Sequence, residues 1–132
     1  AEGKPHFELA KKLDPDRPEP YIELAKLQLA SDEPAALREL EEAARLDVMD
    51  GSITKSLVGK YGARANWAKV VEWGPRALFV DLYDAALHKI YAEGLLQAGK
   101  KKEARAEIDA AWKCEPDDQL RAELKVLAER AR

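Results

Sequence analysis

The sequence predicts an all-α fold, an α-solenoid made of repeated antiparallel helix pairs, and three observations support that prediction. Ala, Leu, Glu, Lys and Arg dominate while β-branched residues are sparse, so local propensity favours helix along most of the chain. The seven prolines fall mostly between the apolar periodic stretches. A small, apolar, acidic pattern also recurs at intervals of about 34 residues, a length that suits one helix–turn–helix unit. With 132 residues the chain suffices for one domain and is too short for two ordinary ones.

The repeat is read from several columns at once. Ala10 with Leu13 and Asp14, Ala43 with Leu46 and Asp47, Ala77 with Val80 and Asp81, and Ala111 with Cys114 and Glu115 mark the ends of successive segments. Ala36, Val70 and Ala104 open the second helix of each pair. Leu24–Ala25, Leu57–Val58 and Tyr91–Ala92 lie inside the first. The first interval is one residue short, which a deletion in the turn around Ser31 to Glu33 explains. Small residues are needed where paired helices cross at close range, and Leu24, Leu40, Tyr91 and Ile108 fill the space between pairs.

On these columns the chain resembles the tetratricopeptide repeat (TPR) family, whose units of about 34 residues pair a helix A with a helix B. The segment 85–118 fits best. Tyr91 and Ala92 match the large and small pair of helix A, Gly99 the turn glycine, Ala104, Ile108 and Ala111 the helix B core, and Pro116 the closing proline. Residues 18–50 form another repeat. Residues 51–84 form a weaker one, with Gly74 and Pro75 interrupting helix B, Val58 in place of the small residue and Leu82 in place of proline. Pro75 removes the bond to the carbonyl of Val71 and is expected to kink the helix. The resemblance implies a right-handed superhelix as a single domain over 1–132. Residues 4–17 match only a helix B of a truncated repeat, with Phe7 and Ala10 turned towards a partner helix upstream of the chain. Residues 119–132 carry Leu120, Leu124, Leu127 and Ala131 on one side and are expected to cap the array. Asp32, Asn66 and Asp117 or Asp118 are the expected helix N-caps.

Several function classes are disfavoured by the residues themselves. A net charge of −3 with interleaved signs offers little to a phosphate backbone, so nucleic acid is not an expected partner. Lys100–Lys102 reads as a solvated turn. Cys114 is the only cysteine, which rules out an internal disulfide and a cysteine zinc cage; neither His6 nor His88 has a ligand-spaced partner, so no metal and no cofactor are expected. No stretch approaches the ~18 apolar residues of a membrane span, and no signal peptide opens the chain. Membrane insertion is not expected, and the compartment stays open between cytoplasm and, after loss of a leader, periplasm. Gly94 to Lys100 has the spacing of a phosphate-binding loop, but Lys101 stands where serine or threonine is needed and no strand precedes it. No nucleophile comes with a base and an orienting carboxylate, so the chain is not expected to be an enzyme. Trp67, Trp73 and Trp112 read as packing residues.

The resemblance implies a non-catalytic scaffold that binds a peptide in the concave groove lined by helix A. By register the groove columns are Glu19, Ile22, Lys26 and Leu29, then Ser52, Lys55, Gly59 and Gly62, then Lys89, Glu93, Leu96 and Gln97. Lys26, Lys55 and Lys89 point to an acidic or carboxylate-bearing peptide. The asparagines of the family's carboxylate clamp for chaperone tails are missing, with Glu23, Ser56 and Ile90 in one clamp column and Lys26, Gly59 and Glu93 in the other. The alternatives are a C-terminal segment of a larger enzyme, resembling arrays in some bacterial metallopeptidase-like proteins, and self-association through the N-terminal half-repeat around Phe7.

Overall fold

Aspartate, asparagine and proline punctuate the chain into helices. The computed structural model describes residues 3–47 and 50–132. Among the described residues there are eight α-helices and no strand: α1 (Lys4–Leu13), α2 (Glu19–Gln28), α3 (Glu33–Leu46), α4 (Gly51–Ala63), α5 (Trp67–Val80), α6 (Ala85–Gln97), α7 (Lys101–Lys113) and α8 (Asp118–Arg130). Asp32, Asn66, Asp84 and Asp117 start α3, α5, α6 and α8 by accepting the amide hydrogens of Ala35, Lys69, Leu87 and Leu120 at 3.2, 3.4, 3.1 and 2.8 Å. Each such cap contributes about 1 kcal/mol. Prolines sit in the first turns of α1, α2 and α3, where no amide hydrogen is required.

The alanine–aspartate columns correspond to one repeated piece of backbone. At the ends of α1, α3 and α5 the amides of Asp14, Asp47 and Asp81 donate to the carbonyls of Ala10, Ala43 and Ala77 at 3.0, 2.9 and 3.1 Å. Their φ angles, −146°, −130° and −139°, agree closely. The fourth column departs. Cys114 closes α7 onto Ala111, and Glu115 takes a φ of 54° ahead of the buried Pro116.

A second shared turn explains the missing residue of the first interval. At the ends of α4 and α6 the amides of Asn66 and Lys100 reach the carbonyls of Tyr61 and Leu95, at 2.9 and 2.8 Å. Those of Ala65 and Gly99 reach Gly62 and Leu96, both at 3.0 Å. This is the Schellman arrangement, which needs a left-handed residue, supplied by Ala65 (φ 56°) and Gly99 (φ 77°). After α2 the amides of Ser31 and Asp32 both return to Gln28 without a left-handed residue. The deletion therefore removes the left-handed position of the turn.

The described residues divide into two compact units, Ala1–Leu57 and Val58–Arg132, with the break inside α4. In the N-terminal unit α2 packs against both α1 and α3. Leu24, Ala25, Ala36 and Ala43 are buried there. Lys11 of α1 reaches both carboxylate oxygens of Glu39 on α3, at 2.9 and 3.0 Å, and lies 4.8 Å from the centre of the Tyr21 ring. Burial alone would lower the pKa of this ammonium, but the hydrogen bond and charge of Glu39 outweigh it and hold the pKa above the ordinary lysine value. Phe7 is half-buried near Gly3 and Leu27, whereas Leu9 and Leu13 are the exposed large apolar residues of α1.

In the C-terminal unit α6 packs against α5, α7 and α8, and α7 against α8. Two glycines set the approach of α5 to α6. A Cβ at Gly74 would lie 2.6 Å from Tyr91 Cδ1, and one at Gly94 would lie 2.9 Å from Val70 Cγ1. α5 is not interrupted at Gly74 and Pro75 as the sequence suggests: it runs helical from Trp67 to Val80. One lost hydrogen bond is tolerated because Trp73, Gly74, Ala77 and Leu78 hold that stretch in the core. Leu124, Leu127 and Ala131 of the last segment join Ala92, Ile108 and Ala111 in one buried cluster, with Leu120, Leu96 and Trp112 packed against it. Arg105 closes the end of α8 by donating to the Ala131 carbonyl at 2.7 Å. His88 is buried and bridges Glu107 Oε2 and the Leu82 carbonyl, each at 2.7 Å, which ties α6 to α7 and to the loop before α6. Among the described residues no helix is long and apolar enough to cross a membrane.

Candidate functional site

The residues expected in the groove fall in both units. In the N-terminal unit Ile22 is half-buried on α2, and Leu29, just past its end, is 38% exposed. Lys26 pairs with Glu23 of the same helix at 3.0 Å. Lys55 is half-buried on α4. The C-terminal unit brings Gly59, Gly62, Lys89 and Glu93 to the lining of one cavity of about 240 Å³, together with Ala63, Trp67 and Ile90.

The cavity exists because α4 presents almost no side chains there. Gly59 and Gly62 lie three residues apart, on one face of the helix. A Cβ at 59 would meet nothing within 4 Å, and one at 62 would touch Ile90 Cγ2 at 3.0 Å. Trp67 stands at the start of α5, positioned by the Asn66 cap. It also lines a second cavity of about 400 Å³, with Ala68, Val71, Gly94, Gln97 and Ala98. Gln97 thus lines the neighbouring recess. Leu96 instead packs against the buried α6–α7–α8 cluster.

Polar chemistry is concentrated at Lys89. Its ammonium sits 2.9 Å from Glu93 Oε1 and 2.9 Å from Glu123 Oε2, so α8 contributes to the edge of the site. Burial by itself would lower the lysine pKa, but the hydrogen bonds to Glu93 and Glu123 overcome it and raise the pKa above the ordinary value. The hydrogen bond from Lys89, then that from Gln119, holds the Glu123 carboxyl below its ordinary range. Cys114 lies outside this site. Burial first, then the charges of Asp81 and Asp84, push its thiol upward, the opposite of what a nucleophile needs. The Gly94–Lys100 stretch is the end of α6 and its turn, and Gly94 is packed against Val70 and Val71. Phe79, Leu82 and Tyr83 form a separate exposed apolar patch around the α5–α6 turn.

Sequence reasoning placed Trp67 among packing residues, so its part in both cavities was missed. The available signal was its place next to the helix cap, opposite two glycines of the preceding helix. Glu123 was missed as well, although it stands one repeat length after Lys89 and shares its column.

No protein-family model matches the chain, and no curated protein matches it in sequence. Among solved structures, the crystal structure of MamA, a TPR-like protein, is similar to it with a TM-score of 0.66 and 16% sequence identity, covering 95% of this chain and 82% of MamA. The chain has a TPR-like helical-repeat fold. That likeness concerns the fold alone.

Proposed function

We propose that this chain is a non-catalytic protein-interaction module that takes up a polypeptide segment on its helix A surface, with the recesses beside Trp67 as the main point of attachment. The observation that supports this reading most is the pair of cavities sharing Trp67, one apolar and one with a charged edge, formed where α4 and α6 carry glycine. Tryptophan is a frequent energetic anchor of protein interfaces. The helical-repeat fold agrees with this reading, since stacked helix pairs create extended binding surfaces.

The test is a peptide array of random twelve-residue sequences probed with the whole chain, with hits measured again by fluorescence anisotropy. The expected result is a subset of binders whose affinity is lost in Trp67→Ala while the circular dichroism spectrum is kept. An array without binders, or binders indifferent to Trp67→Ala, contradicts the proposal.

A further inference from the structure

The smaller cavity and its rim specify more than a generic peptide. Gly59, Gly62, Ala63 and Ile90 line it with no side-chain polar group, and Trp67 adds only an indole N–H. That part of the lining rewards a large apolar side chain and offers nothing to a polar one, whose only side-chain partners are at the charged edge. The charged lining residues are Lys89 and Glu93. Lys89 is shared between Glu93 and Glu123, so one positive charge stands against two negative ones. Glu123 is further occupied, its Oε1 accepting from Gln119 at 3.3 Å. A ligand carboxylate would have to displace a carboxylate from Lys89. A ligand cation meets an excess of one negative charge.

We infer that the occupant is a polypeptide segment with a large apolar side chain directly next to a lysine or arginine, the apolar group in the Trp67 cavity and the cation on Glu93. This rests on the interaction-module reading above. It reverses the acidic ligand expected from the lysine count, because that count leaves out the two carboxylates that already hold Lys89.

The test uses four capped hexapeptides of sequence Gly-Ser-X-Z-Ser-Gly, with X-Z being Leu-Lys, Leu-Glu, Ser-Lys or Leu-Ser. Each is titrated into the whole chain and followed by amide and indole NMR shifts at low salt. Leu-Lys is expected to bind best, with Leu-Glu roughly fivefold weaker, the scale of an exposed ion pair made or lost. Ser-Lys is expected to be weaker still for want of the apolar anchor. The double variant Glu93→Gln/Glu123→Gln turns the excess to one positive charge and should place Leu-Glu above Leu-Lys. Lys89→Met should widen the preference for Leu-Lys, which keeps the test decisive if the double variant does not fold. Equal binding of Leu-Lys and Leu-Glu, or an order unchanged by the charge variants, overturns the inference. If array peptides still bind through Trp67 in that case, the interaction module stands and only its ligand chemistry is wrong. An empty array removes both.

Discussion

The same substitution at two helix-interior glycines should change stability in opposite directions. Glycine within a helix costs roughly 0.8–1 kcal/mol relative to alanine, so Gly→Ala starts with that gain wherever space allows. At Gly59 nothing lies within 4 Å of the new Cβ, and Gly59→Ala should stabilise by about 0.5–1 kcal/mol. At Gly74 the Cβ would fall 2.6, 3.0 and 3.1 Å from Cδ1, Cγ and Cε1 of Tyr91. The contact is with the body of a half-buried ring, so the ring or the helix must shift. Overpacking of this kind costs about 1–3 kcal/mol, which leaves a net loss of about 1 kcal/mol after the propensity gain. The two variants should therefore differ by about 2 kcal/mol, well above the error of a denaturation midpoint. Urea unfolding followed by circular dichroism at 222 nm, with unchanged slopes, is the assay. Equal stabilisation by both variants would refute the close approach of α5 to α6, and destabilisation by Gly59→Ala would refute the open face of α4.

Ala65→Gly should stabilise by about 0.5 kcal/mol, because the left-handed turn at φ 56° suits glycine, while Gly99→Ala at φ 77° should cost about 1 kcal/mol; thermal midpoints measure both. Leu124→Ala, at a fully buried position, should cost about 3–5 kcal/mol and raise hydrogen exchange along α8 ahead of α5, as exchange mass spectrometry would show. The Lys89–Glu123 pair should give a pH-dependent contribution of less than about 1 kcal/mol, since solvent screens it. Glu123 has a depressed pKa, so its contribution is complete above the ordinary glutamate range and is lost as pH falls through the depressed value. Lys89 has a raised pKa, so its contribution is complete below the ordinary lysine range and is lost as pH rises through the raised value. The stability difference between the protein and Glu123→Gln should accordingly be level near neutral pH and vanish at the acid end.

The repeat was legible because its columns encode backbone geometry. Ala10–Asp14, Ala43–Asp47 and Ala77–Asp81 end helices with the same hydrogen bond, and Ala65 and Gly99 turn the chain through the same left-handed conformation. These are local events, set by a few neighbouring residues. Pro75 does not end α5, because the fate of a helix at proline depends on what buries its flanks, and Trp73 and Ala77 lie in the core. Of the expected site residues, Gly59, Gly62, Lys89 and Glu93 meet at one cavity, between α4 and α6. Leu96 packs against the cluster that the last helix completes, and pattern alone does not say which flank of α6 that helix covers. Trp67 was obscure for a related reason: a tryptophan at helical spacing looks the same in sequence whether it fills a core or walls a recess.

The most direct test of the interaction reading is to map the surface that a binding peptide touches. A uniformly ¹⁵N-labelled chain would be titrated with the tightest array hit, and amide and indole shifts recorded residue by residue. Shifts centred on the Trp67 indole and on Gly59, Gly62, Glu93 and Gln97 are the predicted result. Shifts centred on Phe79, Leu82 and Tyr83, or on the exposed Leu9 and Leu13 of α1, with Trp67 unmoved, would contradict it.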